Sequence, residues 1–261
     1  LLAGSTHRGE EAAAVAALAL FTPSVRAGDR GASLRLLGEG EAHYRRGEFK
    51  DAMRSVNTAL ETDSRNGDAY ELRARLWHVA GDGTRQKSDA TRALELLGVG
   101  TGSLAVNELV AQGGAQLLLG RVDKALESLN AALKADQKTG AAHYGRSRVW
   151  REKGDMPKAI ADLNDALKLS PKEPLWLYSR GRAYYDKGED AKAVADLTGA
   201  LRANKNFTLA FALIGSAMAR QGDFKRAAKA YNRAIATDPE YSYAYLGRAA
   251  LKLRQGDEAG A

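Results

Sequence analysis

The chain of 261 residues has no cysteine, only five prolines and three methionines, and no long hydrophobic run. Without cysteine it can form no disulfide, thiolate zinc site or cysteine nucleophile. The longest apolar stretch, residues 12–21, is rich in alanine and too short to cross a bilayer. The scarcity of proline and the abundance of alanine, leucine, arginine and glycine are typical of a soluble all-helical protein.

The formal net charge is +7, and lysine and arginine alternate with aspartate and glutamate along nearly the whole chain. This moderate excess favours acidic partners without singling out nucleic acid. A chain without cysteine is suited to the cytoplasm and to the periplasm, so the compartment stays open, with the cytoplasm favoured. The sequence begins at Leu1 without an initiator methionine, so any targeting peptide has been removed or lies outside it.

The most regular feature of the sequence is a glycine that recurs every 34 residues, with a single interval of 39. The glycines are Gly47, Gly81, Gly120, Gly154, Gly188, Gly222 and Gly256. If each occupies position 15 of a 34-residue unit, the chain divides into six complete units and a truncated seventh. These units are 33–66, 67–100, 106–139, 140–173, 174–207, 208–241 and 242–261.

Other positions of the unit are equally regular. Position 8 is always small, position 27 is alanine in all six complete units, and position 24 is usually large and apolar, as in Leu129 and Tyr231. An aspartate or glutamate commonly follows the glycine, as in Gly154-Asp155. This pattern predicts two helices per unit, with the glycine ending the first helix and the acidic residue capping the second.

The period and this pattern of small and large residues resemble the tetratricopeptide repeat family, of bacterial type, over roughly residues 33–261. The resemblance implies an all-α, right-handed superhelical α-solenoid that acts as a non-enzymatic scaffold or adaptor for protein–protein interaction. It also implies a concave groove, lined by positions 2, 5, 9 and 12 of each first helix, in which a peptide binds.

The two ends and one insertion depart from the repeat. Residues 1–32 are predicted to hold an N-terminal helix over 9–22, either a cap or a degenerate half repeat, followed by a linker. Residues 101–105 are read as an insertion. The seventh unit, 242–261, lacks its second helix, so we expect self-association or continuation of the chain through this open end.

Arginine and tyrosine recur at the positions that the resemblance assigns to the groove. Guanidinium groups bind carboxylates in a bidentate manner, and tyrosine adds flat contact area, so this combination is suited to an acidic peptide or a C-terminal carboxylate. An ordinary solvated helix face is the competing interpretation. The predicted groove residues are Arg75, Tyr144, Arg148, Arg151, Tyr178, Arg182 and Tyr185.

A second set of arginines occupies position 7, where the family usually has leucine. Three units with arginine at position 7 have aspartate at position 23, and the complete units without that arginine lack the aspartate. We interpret these residues as structural ion pairs between the two helices of one unit. They are Arg73 with Asp89, Arg146 with Asp162, and Arg180 with Asp196.

Sites of catalysis are not expected. The four histidines are scattered, with no histidine or carboxylate at metal-ligand spacing beside them, so we predict no metal, no cofactor, no small-molecule substrate and no enzymatic activity. Two alternatives to an adaptor remain: the regulatory or substrate-recruiting part of a larger enzyme or assembly, and a nucleic-acid-binding helical repeat. The sequence shows no base-reading pattern that would support the second.

Overall fold

The computed structural model describes residues 29–97 and 105–254, and all the regular elements of these two ranges are α-helices. The helices are α1 (Arg30–Arg46), α2 (Phe49–Thr62), α3 (Gly67–Val79), α4 (Gly83–Leu97), α5 (Val106–Leu118), α6 (Val122–Ala135), α7 (Gly140–Glu152), α8 (Met156–Leu169), α9 (Pro174–Asp186), α10 (Asp190–Ala203), α11 (Thr208–Arg220), α12 (Phe224–Thr237) and α13 (Ser242–Arg254). They pair in chain order, so each complete unit is one antiparallel helix pair.

The units begin close to the boundaries predicted from the glycine period. The first helix is the exception, because α1 begins at Arg30, inside the segment assigned to the linker. The side chain of Asp29 caps it by accepting a hydrogen bond from the amide of Ala32 at 3.0 Å. The predicted helix at 9–22 and most of the predicted insertion lie outside the described residues.

Six of the seven periodic glycines lie in the described residues and have left-handed backbone angles, with φ between 73° and 86°. This conformation is easy only for glycine, which explains the strict period. The acidic residue that follows caps the second helix where it is aspartate. Asp155 accepts from the amide of Lys158, whereas Glu48 and Glu189 make no side-chain cap bond.

The large residue at position 24 fills the space between the first helices of two successive units. Leu129 is fully buried. A β-carbon placed on Gly113 would lie 2.7 Å from its Cγ atom, and one on Gly145 would lie 2.7 Å from its Cδ2 atom. Small residues on both flanking helices therefore make room for Leu129, and this packing joins neighbouring units into one array.

The array also closes on itself. The end of α1 and the turn after it contact α9 and the loops before α9, α11 and α13, so the first unit touches the fourth, fifth and sixth. We call this contact the seam: residues 45–50 on one side, and Glu173, Asn204, Phe207, Asp238 and Glu240 on the other. A solenoid needs contacts only between successive units, so the seam is an additional feature of this chain.

Phe207 is the apolar centre of the seam. It is fully buried, and its ring lies 6.3 Å from Phe49 and 5.2 Å from Tyr178, measured between ring centroids. Phe207 is also the N-cap residue of α11, a position that favours Asn, Asp, Ser or Thr, and it makes no side-chain cap bond. Its aromatic side chain is thus explained by the contact with the first unit.

Polar contacts surround Phe207. The side-chain amide of Asn204 donates a hydrogen bond to the carbonyl of Arg46. Lys50 Nζ lies 3.6 Å from Asp238 and 3.4 Å from Glu240. These polar groups are largely exposed, so each contributes little on its own. No helix in the described ranges is long and apolar enough to span a membrane.

Candidate functional site

The seven predicted groove residues lie on the first helices of three units: Arg75 on α3, three residues on α7 and three on α9. Closure of the array places the concave sides of these helices around one interior. Side chains fill much of that interior. Its charged residues form an acidic part around Arg75 and a basic part around Arg148 and Arg151.

In the acidic part, Arg75 is already paired within the protein. Its Nε atom donates to Glu71 at 2.8 Å, and its Nη2 atom donates to Glu41. Its guanidinium also covers the ring of Tyr44, 4.6 Å from the centroid. Arg75 was predicted to face a ligand, but two carboxylates of the chain occupy it. Glu41 holds position 9 of the preceding unit, a signal that sequence reasoning could have used.

Tyr44 and Glu71 show how tightly this interior is enclosed. Tyr44 holds position 12, on the predicted open side of its helix, and yet it is only 4% exposed. Burial raises the pKa of Glu71 to about 7, although the charge of Arg75 lowers it. Position 9 of the third unit is Gly114, and a side chain there would collide with the Glu71 carboxyl group.

In the basic part, the guanidinium group of Arg151 lies within electrostatic range of those of Arg148 and Arg182. Burial lowers the pKa of Arg151, and so do the positive charges of Arg182 and Arg148. Arg182 Nε donates to Asp186 at 3.1 Å. Within the described ranges, no carboxylate oxygen lies within 4.0 Å of the guanidinium groups of Arg148 and Arg151. Within the described residues, Arg148 and Arg151 are thus two guanidinium groups of this interior that form no ion pair at contact distance.

The predicted groove tyrosines lie against this basic part. Tyr144 stacks on Trp176 with ring centroids 6.4 Å apart, and Tyr178 packs on Phe207 in the seam. Tyr185 is covered by the guanidinium of Arg220, 3.9 Å from its ring centroid. All three are partly buried. Two of them therefore connect the basic part to the aromatic core and the seam.

The position-7 arginines lie away from this interior, between the two helices of each unit. Arg73, Arg146 and Arg180 each donate two hydrogen bonds, of 2.7 to 2.9 Å, to the aspartate 16 residues later. The aspartates Asp89, Asp162 and Asp196 are buried. This geometry is that of a bidentate pair within one unit.

Each of these arginines has a further partner that sequence reasoning missed. Its Nη1 atom donates to an asparagine 16 residues earlier, at position 25 of the preceding unit. The asparagines are Asn57, Asn130 and Asn164, and Asn232 binds Arg248 in the same way. The complete units that precede a unit without this arginine have threonine there. The sequence signal was therefore present.

Two histidines are closer to carboxylates than their scattered positions in the sequence suggest. His43 Nδ1 lies 2.6 Å from Glu48, and His143 Nδ1 lies 3.2 Å from Asp162. The sequence predicts no histidine or carboxylate at metal-ligand spacing beside the histidines, but the turn after α1 and the packing of α7 on α8 bring these carboxylates near. With Asp51 and Asp165, respectively, they form two groups of potential metal ligands. Guanidinium groups already bind both groups, through Glu48 and Asp162.

A separate pocket of about 650 Å³ lies at the seam. Phe49, Phe207, Leu209, Arg233 and Tyr241 are among its lining residues, whereas the interior arginines do not line it. This open space is thus outside the basic interior.

Comparison with known proteins gives the family. A sequence model described as tetratricopeptide repeat matches residues 37–98, 110–174, 158–206 and 213–261. No curated protein is similar enough to this chain to count as a match.

Several solved structures share the fold. A thermophilic tetratricopeptide repeat protein from Thermus thermophilus aligns with a TM-score of 0.59 and 20% identity over 72% of this chain and 99% of its own. YrrB, described as a tetratricopeptide repeat protein with an unusual peptide-binding site, aligns with a TM-score of 0.51 and 19% identity over 74% of this chain and 97% of its own.

A crystal structure of the Cut9–Hcn1 hetero-tetramer of APC/C aligns with a TM-score of 0.58 and 18% identity over 84% of this chain. The present chain spans 42% of the length of the chain that it matches there. At these identities the likeness concerns the fold alone. The family model covers most of the chain, and its matches together overlap all the helix pairs described above. The chain therefore belongs to the tetratricopeptide repeat family, as an all-α repeat solenoid of the kind that serves as a scaffold for protein–protein interaction.

Proposed function

We propose that this scaffold binds an acidic peptide segment of a partner protein in its interior, at Arg148, Arg151 and Arg182. The single observation that carries the proposal is the pair of guanidinium groups of Arg148 and Arg151, which are half-buried and have no carboxylate within 4.0 Å among residues 29–97 and 105–254. Buried charges are costly unless they are paired, so a ligand carboxylate placed here relieves both burial and mutual repulsion.

The neighbouring residues support a peptide rather than a small anion. Tyr144 and Tyr178 flank the arginines and offer apolar area to the peptide chain between its carboxylates. The description of YrrB shows that a protein of this fold has a peptide-binding site, and at 19% identity it supports only the possibility of such a site here.

The proposal predicts that removing two of the interior arginines weakens binding of an acidic peptide. Fluorescence anisotropy with a labelled peptide of alternating glutamate and alanine, compared with a counterpart that has glutamine in place of every glutamate, measures this. We expect wild type to prefer the acidic peptide and the Arg148→Ala, Arg182→Ala double variant to bind it at least about tenfold more weakly.

A matched control removes the same charge from the exposed surface. The Arg121→Ala, Arg202→Ala double variant should keep wild-type affinity within about twofold, because exposed charges act mainly through long-range attraction. Equal losses in the two double variants, or equal binding of the two peptides, would contradict the proposal.

A further inference from the structure

The seam joins units that are far apart in the sequence through one buried aromatic ring and a few polar contacts. Asn204 and the Arg46 carbonyl are separated by 158 residues, and Lys50 and Glu240 by 190. Successive units, by contrast, share continuous helix packing along their whole length. In a solenoid the internal stability of each unit does not depend on such a distant contact.

We propose that the seam is a latch that opens and closes reversibly, and that a peptide reaches the interior arginines only when it is open. The latch controls whether a peptide can enter the site; it does not change the residues that bind the peptide. The inference on access rests on the proposed function; the inference on opening does not.

The contacts across the interior are the reason that the closed form excludes a peptide. Tyr44 of the first unit is almost completely buried, beneath Arg75 and within electrostatic range of Tyr144 and Arg148 of the fourth unit. An extended peptide needs about 5 Å of width for its backbone and about 10 Å with side chains on both sides. Tyr44 and Arg75 therefore occupy part of the interior that an extended peptide would have to enter to reach Arg148.

The seam should be sensitive to a side chain added at Gly47. Gly47 has φ of 77°, and a β-carbon on it would lie 2.6 Å from the Cε2 atom of Phe207. Phe207 is fully buried and packs against Phe49 and Tyr178, so its ring has little room to move aside while the seam is closed. A methyl group at Gly47 therefore forces the two sides apart.

The same chain provides a matched control for this substitution. Gly154 has φ of 78°, and a β-carbon on it would have no atom within 4 Å. Alanine at Gly154 and alanine at Gly47 impose the same backbone strain, but only the second touches the seam. A difference in seam opening between the two variants is therefore due to the contact with Phe207 and not to backbone strain.

Opening is measured with spin labels, which the absence of cysteine makes straightforward. Labels are attached to Lys50→Cys and Glu240→Cys, whose exposed side chains face each other across the seam. Pulsed electron resonance should give a short distance together with a longer one in the wild-type background. Gly47→Ala should shift the population to the longer distance, and Gly154→Ala should not.

A second variant distinguishes opening of the seam from unfolding of the protein, because it removes the seam contact while stabilising the start of α11. Phe207→Asn removes the ring and introduces a favoured N-cap residue, so helical circular dichroism should be retained while the distance lengthens. An unchanged distance distribution in both Gly47→Ala and Phe207→Asn would overturn the latch, as would a single fixed distance in every background.

Access is tested by locking the seam. A short bifunctional maleimide across the cysteines at 50 and 240 should slow association of the acidic peptide at least tenfold. The same reagent across Asp123→Cys and Lys153→Cys, an exposed ion pair between the third and fourth units, should leave association unchanged. Unchanged association in the locked protein would overturn control of access. If the acidic peptide binds to no form, the proposed function fails, while the label distances still decide whether the seam opens.

Discussion

Asp162→Ala should lower the free energy of unfolding by about 2 to 3 kcal/mol, because it leaves the guanidinium of Arg146 without its charge partner between two helices. The carboxylate is only 5% exposed, whereas Arg146 is 26% exposed, so water compensates part of the loss. Only Asn130 would still accept a hydrogen bond from Arg146. Urea unfolding followed by circular dichroism measures the change.

The double variant Arg146→Met, Asp162→Leu should be less damaging than the single one, at about 1 kcal/mol, because no buried charge is left behind. Ser128→Ala is the matched control, since Ser128 holds position 23 in the preceding unit and binds the neutral Gln112 instead of an arginine. It should cost no more than about 1 kcal/mol. Equal losses in the single and double variants would show that burial of the pair is unimportant.

Stability should fall between about pH 4.5 and 7 through Glu71, whose pKa rises from 4.5 to about 7 on folding because the group is buried. The folded protein therefore binds this proton more readily than the unfolded chain does. The contribution of Glu71 favours the fold at low pH and is lost as the pH rises through the window. The expected decrease is on the order of 1 to 3 kcal/mol.

Glu71→Gln isolates this effect. The variant keeps an acceptor for Arg75 but cannot ionise, so its free energy of unfolding should fall less steeply from pH 4.5 to 7 than that of wild type. Glu61→Gln, on the exposed side of α2, should retain the wild-type slope. If Glu71→Gln also retained that slope, Glu71 would not titrate in this window.

Local features of this fold follow from the sequence because they depend on short-range geometry. Glycine every 34 residues predicts the left-handed turns, and the spacing of 16 residues between Arg146 and Asp162 predicts which helices they join. The start of the first helix is less predictable, because it depends on a single capping residue and not on a repeated pattern. The 34-residue period predicts that the first unit begins after Ala32, whereas Asp29 caps α1 and the helix begins at Arg30.

Closure of the array could not be predicted in this way. Closure results from the accumulated small rotations between successive units, and no single residue determines the total rotation. The consequence for the site is large, because helix periodicity indicates that Tyr44 and Arg75 face an open groove, whereas in the folded array Tyr44 is buried and Arg75 is paired with Glu41 and Glu71. Phe207, an aromatic residue at an N-cap position, is a local irregularity in the sequence that points to an additional contact.

We propose that Arg148, Arg151 and Arg182 bind a ligand, whereas the position-7 arginines hold the helices together. Side-chain Nε–Hε resonances of arginine test it directly during titration with the acidic peptide. The account predicts that the resonances of Arg148, Arg151 and Arg182 shift with peptide concentration, and that those of Arg146 and Arg180 do not. Shifts confined to Arg146 and Arg180, or equal in both sets, would contradict it.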